Sequence, residues 1–123
     1  MTPLKQTLFH DIHGAGNCLE TCLASIFEIP IVDVPSLRHT NWFPTLFNWL
    51  NSNNHTFQGT LTPPQIPTYS IGINGYFIVA GNSPRGSHIK GGHAVIFKNG
   101  IMVHDPHPDN TGILTINYAL AIE

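Results

Sequence analysis

One run constrains the fold of this chain more than any other: Gly14-Ala15-Gly16-Asn17-Cys18 leads straight into Leu19-Glu20-Thr21-Cys22-Leu23-Ala24-Ser25-Ile26-Phe27. Leu19, Cys22, Leu23, Ile26 and Phe27 recur at helical spacing, so one face of a helix is apolar and needs a partner layer. The helix is expected from about Asn17 to Glu28. Asn17 serves as its N-cap, and Pro30 turns Ile29 out of the helical region. Cys18 then falls in the first turn, where unpaired backbone N–H groups and the positive dipole end favour a thiolate. Cys22, one turn deeper on the apolar stripe, reads as core packing.

The remaining pattern supplies that partner layer. Gln6-Thr7-Leu8-Phe9 reads as a short strand or extended arm, and residues 31–35 as a connector with one helical turn. A second helix is expected over 41–53, with Asn41 as cap, Pro44 in its first turn, and Trp42, Phe43, Leu46, Trp49 and Leu50 as a core stripe. Residues 58–75, rich in Pro, Gly and Thr, read as a loop with one strand near Thr68–Ile71. Strands follow at 75–81, 93–97, 101–105 and 113–122 by aromatic and β-branched content. Helices first and antiparallel strands after predict an α+β fold, one domain over residues 1–123, with the N-terminal helices packed on one sheet.

Composition removes several functions. Of 123 residues 10% are charged, and the net charge is −2, so no basic face is expected to bind nucleic acid. No apolar run is long enough to span a membrane, and the first residues lack a signal peptide's apolar stretch. The expected compartment is the cytoplasm, where Cys18 and Cys22 stay reduced. One helical turn apart, the two cysteines are badly placed for a disulfide.

A thiol nucleophile requires a histidine within hydrogen-bond reach and a group that orients the histidine. Gly91-Gly92-His93 opens a strand, and Asp105 closes its neighbour twelve residues on. Parity decides whether they meet. A three-residue loop of Lys98, Asn99 and Gly100 sets His93 opposite Asp105, with Val95, Phe97, Ile101 and Val103 on the face toward the first helix. A two-residue Asn-Gly loop carries Asp105 to the other face. The three-residue register, with Gly100 left-handed, is the expectation. Candidate oxyanion donors are the Cys18 backbone N–H and the side chains of Gln6 and Asn17. Gly92 and Arg85, on the loop before His93, are candidate substrate-binding positions. Arg85 could meet a carboxylate or be a solvated loop charge. The alternative chemistry is a metal site of Cys18, Cys22 and the histidines of His104-Asp105-Pro106-His107, but that spacing matches no strong zinc signature. No metal or cofactor is therefore expected. His10, His13, His39, His55 and His88 read as surface residues.

Gln6, Cys18, His93 and Asp105-Pro106 occur in the order found in compact papain-like cysteine peptidases, and the chain resembles the bacteriocin-leader (double-glycine) type. Gly-Asn-Cys, His-Ala-Val and His-Asp-Pro-His-Pro are also similar to motifs of small uncharacterised proteins of bacteriophages and bacteria. The resemblance implies a papain-like fold and a Cys18–His93–Asp105 triad with Gln6 as oxyanion donor. The implied activity is hydrolysis or acyl transfer at a peptide, isopeptide or γ-glutamyl-type amide. Its partner would be a peptide or small amide substrate. A non-catalytic binding module on the same fold and a small Cys/His metal-binding protein remain the alternatives.

Overall fold

The computed structural model describes residues 1–9, 16–38, 41–64, 66, 72–85 and 92–123. Helix α1 spans Cys18–Phe27, a 3-10 turn spans Ile31–Asp33, and helix α2 spans Trp42–Ser52. Five strands follow: β1 (Phe57–Leu61), β2 (Tyr76–Gly81), β3 (His93–Lys98), β4 (Ile101–His104) and β5 (Tyr118–Ile122). They form one antiparallel sheet in the order β1-β5-β2-β3-β4. The α+β expectation therefore stands.

Strand alternation divides the core. Cys22, Leu23 and Ile26 of α1 and Leu46 and Leu50 of α2 pack with Ile78, Ala94, Ile96 and Leu120 on one sheet face. Val79, Val95, Ala119 and Ala121 form a second cluster with Phe77, Phe97 and Met102 against it. Leu23, Leu46 and Leu50 are fully buried, and truncating any of them to alanine removes about 2–5 kcal/mol. The expected helix stripe is thus partly confirmed. Leu46 and Leu50 are core and Trp42 and Trp49 half-buried, but Phe43 is exposed. The helix-facing residues of β3 are Ala94 and Ile96, not Val95 and Phe97.

That correction follows from the hairpin. Lys98 pairs with Ile101, so the loop is the two residues Asn99 and Gly100, both at positive φ (55° and 76°). This is the primed turn that Asn-Gly favours, because its twist matches the strands. The three-residue loop is overturned, yet Asp105 is not lost. The pairing runs Phe97 with Met102 and then Ile96 with His104, leaving Val103 as the extra residue of a β-bulge. The bulge shifts the register by one and returns Asp105 to the parity of His93.

Two other expectations change. β1 runs from Phe57 into the stretch read as a loop, and its register against β5 shifts between Phe57 and Gly59. The last strand begins at Tyr118, because residues 113–117 form a loop tied by Leu114 N–H to Asn82 O and Asn117 N–H to Ala80 O. The strand expected near Thr68–Ile71 lies outside the described residues. Among the described residues, no helix is long and apolar enough to cross a membrane.

Residues 1–9 run as an arm without regular structure. Thr2 N–H bonds Ser25 O, Gln6 N–H bonds Pro106 O, and Asn17 N–H bonds Leu8 O. The arm therefore links the start of α1 to the end of β4, and these are the two places where the candidate chemistry lies.

Candidate active site

Cys18 is the first residue of α1 and is buried at 8% exposure. His93 is the first residue of β3, at 2% exposure, and Asp105 follows directly after β4, also at 2%. Nε2 of His93 lies 2.6 Å from Asp105 Oδ1. The ring is also hydrogen-bonded to the Cys18 side chain, and with Nε2 on the carboxylate this bond falls to Nδ1. One imidazole thus bridges a sulfur and a carboxylate, the arrangement of nucleophile, base and orienter.

Asp105 is over-determined. Its Oδ1 also accepts the His107 N–H at 2.9 Å, and Oδ2 accepts the Gly112 N–H at 2.7 Å. Burial raises its pKa, but the His93 bond and the two backbone donors together hold it below the ordinary aspartate value. For His93, burial disfavours the charged ring. The bonds to Asp105 and Cys18, with their charges, outweigh burial and raise the pKa to about 9. The imidazolium is therefore the resting form at neutral pH. Cys22 is fully buried, its Sγ 3.6 Å from Ala94 O, and burial pushes its thiol well up. It packs in the core, as expected, and the two cysteines are not joined in a disulfide.

The sign of the pH effect on stability follows. His93 keeps its proton to about 9 in the fold and releases it near 6.5 when unfolded. Its contribution is full below about pH 6.5 and is lost as pH rises through about 9. Asp105 is shifted the other way, so its contribution is present above about pH 3.9 and is lost as pH falls through its lowered folded value. Titration of the His93 ring by nitrogen-detected NMR is expected to give a midpoint near 9. The stability slope reads most cleanly in Cys18→Ser, where no thiol proton enters the balance and Asp105 keeps the sign unchanged. A ring that titrates near 6.5 with the fold intact contradicts the ion pair.

The other candidate residues separate into near and far. Gly92 lines the cleft beside Cys18 and His93. Gln6 is buried; its Nε2 donates to Leu8 O at 2.9 Å, and its Oε1 has no protein partner. A Cβ placed on Gly16 would stand 3.1 Å from that Nε2, so the amide lies beside the residue that leads into Cys18. Asn17 occupies the N-cap position but makes no side-chain cap bond. Its Oδ1 accepts the N–H groups of Thr7 and Leu8 and its Nδ2 donates one hydrogen to Thr7 Oγ1, so the amide clamps the arm. Arg85 is not among the residues of the cleft. Its Nη1 lies 2.9 Å from both Asp109 oxygens and 3.1 Å from Thr111 Oγ1. The side chain ties the loop before β3 to the turn after β4.

The alternative metal ligands also have other partners. His104 Nε2 is 2.6 Å from Leu4 O, and His107 Nδ1 takes the Asp109 N–H at 3.2 Å. Among the described residues no three histidine, cysteine, aspartate or glutamate side chains cluster as a metal set. Of the histidines read as surface, His55 lies half-buried against Phe27, and His10, His13, His39 and His88 fall outside the described residues.

Lys5 was not singled out by its sequence context. Its Nζ donates to Asp105 O at 2.8 Å, His107 O at 3.1 Å and Asn110 Oδ1 at 2.5 Å, stapling the turn that carries the carboxylate. The His107 N–H on Asp105, by contrast, had a visible signal: an aspartate before proline commonly accepts the N–H two residues on.

Comparison with known proteins returns no matching family model, no matching curated protein and no matching solved structure.

Proposed function

We propose that this protein is a cysteine-dependent hydrolase or acyltransferase acting on an amide bond, a papain-like enzyme in miniature. The observation that carries the reading is the single His93 ring bonded to Asp105 through Nε2 and to Cys18 on its other side. Cys18 Sγ attacks the carbonyl carbon. The imidazolium gives its proton to the departing amine, leaving an acyl group on sulfur. His93, now neutral, takes a proton from water or an acceptor amine as its oxygen or nitrogen bonds to the acyl carbon. The carbon–sulfur bond then breaks to release the acid or new amide and return the Cys18 thiolate. Asp105 fixes the tautomer and the plane of the ring throughout. The oxyanion is met by backbone N–H at the start of α1, with the second amide hydrogen of Gln6 as the nearby side-chain donor. The absence of a disulfide between Cys18 and Cys22 fits a reducing, cytoplasmic setting, and a peptide or small amide is the expected substrate.

Iodoacetamide labelling followed by mass mapping tests this. Cys18 is expected to react well below pH 8.5, where a free thiol titrates, and Cys22 to stay unmodified. His93→Ala should abolish the low-pH reactivity. Incubation with extracts of a bacterial cell should then allow an acyl adduct on Cys18 to be weighed, its mass giving the acyl group. A Cys18 that behaves like a free peptide thiol, or never reacts in the folded protein, leaves only the non-catalytic alternative.

A further inference from the structure

The nucleophile opens onto a cleft of about 180 Å³ whose far wall is formed by neither Cys18 nor His93. Leu37, Ile78 and Leu120 line it and are each at most 6% exposed. Two of them lie in neighbouring strands of the sheet, so this part of the wall is fixed in advance of any ligand. Half-buried Trp42 of α2 and Tyr118 of β5 add aromatic surface. Tyr118 lies near enough to Cys18 that the sulfur, after burial, helps raise its pKa. Two charged residues, Glu20 and Arg38, also line the cleft. Their signs oppose, so the wall has no net charge with which to select an ionic group.

Resting on the reading of Cys18 as nucleophile, we propose that this cleft is the specificity subsite, and that it takes an apolar branched or aromatic substituent next to the scissile carbonyl. A cavity of about 150 Å³ holds a benzene ring, so this one fits about six to eight non-hydrogen atoms. Glycine or alanine at that position would leave it to water against leucine and isoleucine side chains. A phenyl or isobutyl group removes that apolar surface from solvent. The inference therefore separates this protein from an enzyme built for a double-glycine site.

The test uses chloroacetamides that differ only in the nitrogen substituent: methyl, isobutyl, benzyl and 2-carboxyethyl. Second-order rates at Cys18 are read by mass spectrometry and divided by each reagent's rate with glutathione. The isobutyl and benzyl reagents are expected to exceed the methyl one by roughly 10- to 100-fold, and the carboxyethyl reagent to show no such gain. Trp42→Ala, which removes an aromatic wall, and Ala80→Val, which narrows the cleft, should each collapse the benzyl-to-methyl ratio. A flat series with Cys18 reactive overturns the subsite and leaves the nucleophile standing. A series led by the carboxyethyl reagent overturns it too. Failure of every reagent at Cys18 overturns both readings at once.

Discussion

Replacing Asp105 by asparagine is expected to slow the proposed acyl transfer through Cys18 by about 10²–10⁴-fold while leaving the shape of the side chain unchanged. The carboxylate serves three donors: His93 Nε2 and the His107 N–H on Oδ1, and the Gly112 N–H on Oδ2. An amide can satisfy two donors at one end, but its NH₂ then meets a third donor at the other. The substituted side chain either faces Gly112 with hydrogens or faces His93 with them. In the first orientation His93 keeps a neutral acceptor and loses the charge that supports the imidazolium. In the second the ring must adopt the opposite tautomer, and Nδ1 then carries the wrong proton for Cys18. Both orientations lower the His93 midpoint from about 9 toward its ordinary value. The fold also loses about 2–4 kcal/mol, because a buried donor is left facing a donor. Cys18 alkylation across pH 5–9 and urea unfolding at pH 7 measure the two effects separately. An unchanged pH profile in Asp105→Asn would falsify the coupling of Asp105 to the thiol.

The candidate site was more legible than the strand register that assembles it. A cysteine opening an apolar-periodic helix, a histidine opening a strand and an aspartate closing the next are local signals, and each residue stands where its neighbours put it. The Asn99-Gly100 loop was equally legible, since that dipeptide is the strongest two-residue hairpin signal. Parity, with the fit of Gly100 to the left-handed position of a three-residue loop, argued against it, and parity was restored by one unpaired residue, Val103. A β-branched residue carries no mark of a bulge, so this device was hidden. Residues 113–117 misled in the opposite sense: Ile113, Leu114 and Ile116 read as strand, while the backbone there turns to bond Asn82 and Ala80. Lys5 and Arg85 were illegible for another reason. Each finds its partners far along the chain, at Asp105 and Asp109, and the partner of a surface charge is set by packing that local sequence does not encode.

Gly92→Ala is expected to cost about 3 kcal/mol or more and to cut Cys18 reactivity about 100-fold, although the added group is one methyl. Gly92 has φ +70°, and a Cβ there would stand 2.1 Å from the carbonyl oxygen of Gly81. Gly81 is the residue of β2 paired with His93, so the clash lies in the backbone that fixes the histidine. Neither peptide can move freely. Gly81 itself is covered by Thr115 O, which a Cβ on Gly81 would meet at 1.6 Å. Relief at the Gly92–His93 link displaces the ring from two partners at once. A shift of about 1 Å is enough to remove most of the benefit of a positioned base. Gly100 supplies the control within the same hairpin. Its φ is +76°, but nothing lies within 4 Å of its Cβ position, so Gly100→Ala bears the left-handed strain alone, about 1 kcal/mol. Urea midpoints and Cys18 alkylation rates of the two variants separate the roles. A Gly92→Ala protein as stable and as reactive as Gly100→Ala would show that the strand end yields, and that His93 is held by its side-chain bonds rather than by its backbone.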